Sequence, residues 1–278
     1  MLHLRVNDTD MAYIALGPTV GKGGTPLVCI HGSLGDFRSW NPVLGPLSRR
    51  HRVIVPSLRH FFPEAWDGKG GNYSIPQHTA DVIAFIEGLK LGPVHLMGHS
   101  RGGHIAFRVA SARPDLIKKL ILAEPGGELD ASLMPADHGV SPEVLKARAT
   151  SIIQAAEKIA AGDVEGGLEL FVDRIDGPGT WAKRPPASKQ ARRDNARTLI
   201  GQLEEQRQPF TRAEAQAIRN PTLLIGGANT PGMLPVVLKA LAGAIPGAKS
   251  ELIPETTHVM FDQAPQRYCE IVLDFLKT

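Results

Sequence analysis

Short, unbroken apolar runs alternate with amphipathic stretches along most of this chain. Leu27-Val28-Cys29-Ile30 is the clearest of these runs, and Arg52 to Val55, Val94 to Met97, Leu120 to Ala123, Thr222 to Ile225 and Glu251 to Ile253 repeat its character. A run of four to seven apolar residues suits a strand buried on both faces of a parallel sheet. Between the runs, apolar residues recur at helical spacing over Trp40 to Arg49, Pro76 to Leu89, Gly102 to Ala112, Met233 to Ala244 and Pro265 to Leu276. Leu2 to Val6 and Met11 to Leu16 read as a hairpin turned at Asn7-Asp8-Thr9-Asp10, followed by a Gly/Pro-rich connector over Gly17 to Pro26. Strand and helix in alternation predict an α/β domain, a mostly parallel, doubly wound sheet of about eight strands.

The alternation breaks once, after the sixth strand. From Gly126 to about Asn220 the pattern is helical throughout, over Pro142 to Ala161, Val164 to Ile175, Ser188 to Gln206 and a short piece near Thr211 to Ile218. Such a length is far too great for an unstructured loop in a compact domain. The expected organisation is a core of 1–126 and 220–278 with a helical cap inserted over 127–219.

Composition narrows the function classes. The chain has 278 residues, 42% hydrophobic and 21% charged, within the globular range. A formal net charge of +3 with no long basic stripe gives no reason to expect nucleic acid or an anionic membrane as partner. Cys29 and Cys269 belong to no Cys/His cluster, so a reduced, metal-free protein is expected. The first sixteen residues lack the pattern of a secretory signal, and no window nears 18 apolar residues, which leads to the expectation of a cytoplasmic protein acting on a small-molecule substrate. A homodimer stays open.

The chemistry concentrates at Gly98-His99-Ser100-Arg101-Gly102, where a strand pattern passes into a helix pattern with almost no loop. A serine in G-x-S-x-G at that junction occupies a strained elbow, with glycines where side chains would clash. The following helix lends its unsatisfied N–H groups to any negative charge formed at the tip. A serine hydroxyl needs a base within reach, and His258, after the last strand pattern and before the final helix, is the best of ten histidines.

From end to end the chain resembles an α/β-hydrolase. "LVCIHGSLGDFRSW" (27–40) resembles the family's strand and HG oxyanion loop, and "GHSRGG" (98–103) resembles its nucleophile elbow. "ILAEP" (121–125), "PTLLIGGANTP" (221–231) and the "TTHVMF" stretch that begins at Thr256 resemble the ends of its later strands. The resemblance implies Ser100 as nucleophile, His258 as base and the backbone amides of Ser33 and Arg101 as oxyanion hole, with His31 fixing the loop geometry. A G-x-G-x-x-G phosphate loop is absent and nothing in the sequence suggests a metal, so neither a cofactor nor a metal is expected. The Arg101 side chain is expected to point outward into solvent, with a grip on an acidic substrate group as the alternative.

The acid departs from the commonest family pattern. Most members place an Asp in a G-x-x-D context after the strand that here is Thr222 to Ile225, whereas this chain reads Gly226-Gly227-Ala228-Asn229. Glu124, ending the preceding strand, is the expected acid, as in a minority of members that includes some haloalkane dehalogenases. Asp262 is the nearby rival. Phe37 and Trp40 are candidate pocket walls, against ordinary core packing. The basic run "KRPPASKQARRDNAR" (183–197) is expected to be a solvated helix face, with attraction of an acidic substrate as the other reading. The expected activity is cleavage of an ester or related carbonyl compound of small to medium size through an acyl-enzyme. A perhydrolase or haloperoxidase, a carbon–carbon bond hydrolase and a small-molecule receptor with little turnover remain alternatives.

Overall fold

In the computed structural model, which describes residues 1–19 and 24–277, eight strands form one sheet. They are β1 (Leu2–Val6), β2 (Thr9–Leu16), β3 (Leu27–Ile30), β4 (Val53–Pro56), β5 (Val94–His99), β6 (Ile117–Ala123), β7 (Thr222–Gly227) and β8 (Lys249–Ile253), in the order β1-β2-β4-β3-β5-β6-β7-β8. The pairs β1·β2 and β2·β4 are antiparallel, and every other pair is parallel. Of the expected connector over 17–26, residues 20–23 lie outside the described residues.

Helices α1 (Asn41–Ser48), α2 (Ile75–Leu89) and α3 (Arg101–Ala112) join the first strands. After β6 come α4 (Pro142–Ala160), α5 (Val164–Asp176), α6 (Thr180–Lys183), α7 (Pro186–Asp194), α8 (Thr198–Gly201) and α9 (Arg212–Ala217). Then α10 (Leu234–Ala244), α11 (Met260–Gln263) and α12 (Pro265–Lys277) complete the chain.

Period-two alternation in the strands supplies two cores. Val28, Ile30, Leu96, Leu120, Leu122 and Leu224 face one side, where Phe85 of α2, Phe107 of α3 and Leu241 of α10 pack on them. Leu27, Cys29, Met97, Ile121, Ala123 and Ile225 face the other, against Leu47 of α1 and Tyr268, Val272 and Phe275 of α12. Both cysteines are free and buried in this second layer. The apolar positions of α12 at 268, 271, 272, 275 and 276 make the single stripe that a helix lying on a sheet requires.

The segment after β6 has a small core of its own, in which Ala155 and Ile159 of α4, Leu168 and Phe171 of α5, Trp181 and Leu199 pack with Leu34 from the loop after β3. The single helix expected over Ser188 to Gln206 is divided here into α7 and α8. Asn195 causes the break. Its Oδ1 accepts from Phe62 N at 2.7 Å, and its Nδ2 donates to Asp36 Oδ2 at 2.7 Å and to Ala191 O at 2.8 Å. A buried amide that ties three segments together overrides a local pattern that would continue the helix.

Candidate active site

β5 turns into α3 through a single residue. Ser100 has φ 53° and ψ −117°, a strained conformation for a side chain other than glycine. The flanking glycines are needed because backbone comes where a Cβ would stand. A Cβ on Gly98 would meet Gly102 O at 2.1 Å, and one on Gly102 would meet Ile30 O at 2.2 Å. Backbone bonds from Ser100 N to Ala123 O at 3.0 Å and from Gly126 N to Ser100 O at 2.8 Å lock the turn between β5 and the end of β6. Ser100 thus sits at the carboxyl edge of the sheet, ahead of the first amides of α3, and half-buried.

The end of β6 delivers the carboxylate. Glu124, at φ 39°, is fully buried, and its Oε2 accepts from His258 Nδ1 at 2.6 Å. Its Oε1 accepts from Gly227 N at 2.8 Å and from Thr230 Oγ1 at 2.6 Å. Three donors fix the carboxylate and leave it no freedom to turn away from the imidazole. A hydrogen on Nδ1 in this bond leaves Nε2 on the far side of the ring as the nitrogen free to accept. Thr230 is a partner that sequence reading missed, because the 226–230 stretch shows only the absence of an aspartate. Asn229 lies exposed beside it, and Asp262 lies 3.8 Å from Arg184 Nη1 rather than on His258.

Two further histidines hold the frame. His99 Nε2 donates to the backbone carbonyl of His258 at 2.9 Å, and the two rings stand 4.4 Å apart. Burial, helped by the neighbouring His258, pushes the His99 pKa well below its ordinary value, so this ring stays neutral. His31 donates from Nδ1 to Gly32 O at 2.8 Å and accepts from Leu58 N at 3.0 Å, which pins the loop carrying Ser33. Burial depresses its pKa to about 4.

Ser33, Ser100, Gly126 and His258 all line a cavity of about 770 Å³. The cavity is also lined by Ile152 of α4, by Leu170, Phe171 and Ile175 of α5, and by Met233 and Leu234 at the start of α10. Phe37 and Trp40 line no part of it. Trp40 is fully buried, 5.0 Å from the Phe261 ring in the second core layer, and Phe37 packs toward Phe62 at 6.1 Å. Their spacing after the HG loop places them on the 3-10 turn Phe37–Trp40, which faces the core.

The Arg101 side chain also departs from expectation, since it is buried rather than solvated. Its guanidinium donates to both oxygens of Glu205, at 2.7 and 2.6 Å, and to His78 Nδ1 at 3.0 Å, and lies 4.3 Å over the Tyr73 ring. The basic run 183–197 divides. Arg193 pairs with Glu165 at the surface, whereas Arg184 and Arg192 turn toward Ser100 and His258. Helical periodicity alone does not say which residues of α7 face inward, since that depends on how α7 docks.

No helix among the described residues is long and apolar enough to cross a membrane. Residues 25–265 match the family model described as alpha/beta hydrolase fold. A Bacillus subtilis protein provisionally named 2-succinyl-6-hydroxy-2,4-cyclohexadiene-1-carboxylate synthase is 25% identical, over 94% of this chain and 92% of its own. The pimeloyl-[acyl-carrier protein] methyl ester esterase of Aeromonas hydrophila is 23% identical over 91% of this chain and 96% of its own. The crystal structure of the enol-lactonase from Burkholderia xenovorans superposes with a TM-score of 0.75 at 23% identity, covering all of both chains. With its eight-stranded sheet and the family match over most of its length, the chain belongs to the alpha/beta hydrolase fold family and is an enzyme of the hydrolase kind.

Proposed function

We propose that the protein is a serine hydrolase that cleaves a carboxylic ester of small to medium size through an acyl-enzyme. The observation that carries this reading is the buried Glu124–His258 pair beside the elbow serine, at one end of a largely apolar cavity. In this reading Ser100 Oγ attacks the ester carbonyl while His258 Nε2 takes its proton. Glu124 holds the ring in the tautomer that leaves Nε2 free, and stabilises the imidazolium once formed. The oxyanion is received by the backbone amides of Ser33 and Arg101, the latter the first amide of α3. The imidazolium then protonates the leaving alcohol, and water activated by the same nitrogen releases the acid.

The helical segment over 127–219 serves as a cap, closing the cavity with α4 and α5. An ester is favoured because two of the relatives carry ester- or lactone-cleaving names, and a lactone is a cyclic ester. The test is turnover of a panel of p-nitrophenyl esters of increasing acyl length. Hydrolysis that saturates with substrate and falls by about a thousandfold or more in Ser100→Ala supports the reading. Turnover unaffected by that substitution, or saturable binding of esters without turnover, contradicts it.

A further inference from the structure

A second, smaller chamber of about 50 Å³ opens beside the cavity and shares Ser33, Ser100 and His258 with it. Its outer wall is formed by Asp176 of α5, Arg184 and Arg192. Most of the charges there are paired. Arg184 is committed to Asp176, at 2.5 Å, and reaches Asp262 at 3.8 Å. Arg38, close by in the fold, is committed to Asp36 and Asp194.

Arg192 has no such partner. Its Nη1 donates to Ser188 O at 3.1 Å and to Ser188 Oγ at 2.7 Å, and among the described residues no carboxylate stands within ion-pair distance of it. Asp36, Asp176 and Asp262 act on it only from farther away. Burial and the adjacent Arg184 hold its pKa down at about 10, which still leaves it charged at neutral pH. Arg192 is thus the guanidinium of this wall whose direct partners, Ser188 O and Oγ, are both neutral. A half-buried cation with neutral partners is costly unless an anion joins it.

We propose that Arg192 binds a carboxylate carried by the substrate, in the chamber beside Ser100. A guanidinium presents five N–H donors in a planar fork, and the bonds to Ser188 leave Nε and Nη2 available for both oxygens of a carboxylate. The chamber is small and the main cavity large, and they meet at Ser100. The substrate thus has a short arm ending in the acid and a longer apolar arm, with the scissile ester between them. This inference rests on the ester-hydrolase reading for its chemistry, though the binding of the acid does not depend on it.

Calorimetry with glutarate, a short dicarboxylate, tests the binding directly. Glutarate should bind the wild type, and Arg192→Met should weaken it by about 10- to 100-fold, the span of one charge-assisted, hydrogen-bonded pair. Arg193→Met, at the surface, should leave it unchanged. If Arg192→Met does not fold, Arg192→Lys, which keeps the charge and loses the fork, should weaken binding by an intermediate factor.

Kinetics give the second readout. Mono-p-nitrophenyl glutarate is compared with its methyl ester, and 4-butyryloxybenzoate with its methyl ester, so that the acid lies on the acyl or on the leaving arm. In one of the two pairs the acid should be favoured in kcat/KM by about tenfold or more, and Arg192→Met should abolish that preference. Absence of glutarate binding, or binding and preference unchanged in Arg192→Met, overturns the proposal. Turnover of the neutral methyl esters without any preference would sink this inference and leave the ester-hydrolase reading standing. Glutarate binding through Arg192 with no ester turned over would do the reverse.

Discussion

Glu124 occupies a position where its carboxylate is held from three sides, by His258 Nδ1, Gly227 N and Thr230 Oγ1. Its charge and its placement separate experimentally. Glu124→Gln keeps the shape and removes the charge, and should lower kcat by about two to four powers of ten, the range seen when a triad acid is neutralised. Thr230→Val removes one of the three donors and should cost about tenfold, with Thr230→Ser restoring most of the loss. Asn229→Ala and Asp262→Asn should change kcat by less than about threefold, since neither side chain touches His258. Steady-state kinetics on one ester compares all five variants, and collapse in Asp262→Asn with normal rates in Glu124→Gln would move the acid elsewhere. Ser100, His258 and Glu124 were legible because the elbow glycines, the chain order and the strand ends each leave a local mark. Thr230 was not, because a hydroxyl that steadies a carboxylate 106 positions away leaves no pattern nearby.

The strands were legible as apolar runs and their order as alternation, since both arise from burial on two faces. The helices after β6 were legible as helices but not in their facing. Asn195 breaks one predicted helix through partners far away in sequence, and α7 sends Arg192 inward and Arg193 outward. The same long-range docking buries the Arg101–Glu205 pair, whose side chains are both shielded from solvent. Burial pushes the Glu205 pKa up, but hydrogen bonds and charge from Arg101 and Arg207 outweigh this, so the net shift is downward. This pair joins the first residue of α3 to the strand-free stretch after α8. Glu205→Ala leaves the Arg101 guanidinium with only His78 and Tyr73 and should destabilise the protein by about 3–5 kcal/mol. Urea unfolding checks it, and a change below about 1 kcal/mol would show that the pair contributes little to holding this stretch on the core.

Among the described residues, five buried histidines resist protonation in the folded chain. Burial depresses His31 to about 4 and His95 and His104 to about 3, and puts His78 and His99 well below their ordinary value. In the unfolded chain each titrates near 6.5, so unfolding takes up protons at any pH between the two values. Stability is therefore complete above about pH 6.5 and falls as the pH drops toward 4, each group contributing up to about 1.4 kcal/mol per pH unit. Urea midpoints between pH 7.5 and 4.5 should decline with a slope that corresponds to about three to five protons. A flat profile over that range would mean that these rings are protonated in the native state. No single position in the sequence shows this property, because it comes from two core layers and a helical segment packing histidines whose local contexts look unremarkable.

Mass mapping of the adduct formed with a fluorophosphonate addresses the nucleophile and its activation together. The label should fall on the peptide that contains Ser100, vanish in Ser100→Ala, and form slower by about a hundredfold or more in His258→Ala. Labelling at another serine, or labelling of Ser100 at an undiminished rate without His258, would contradict the assignment of this site.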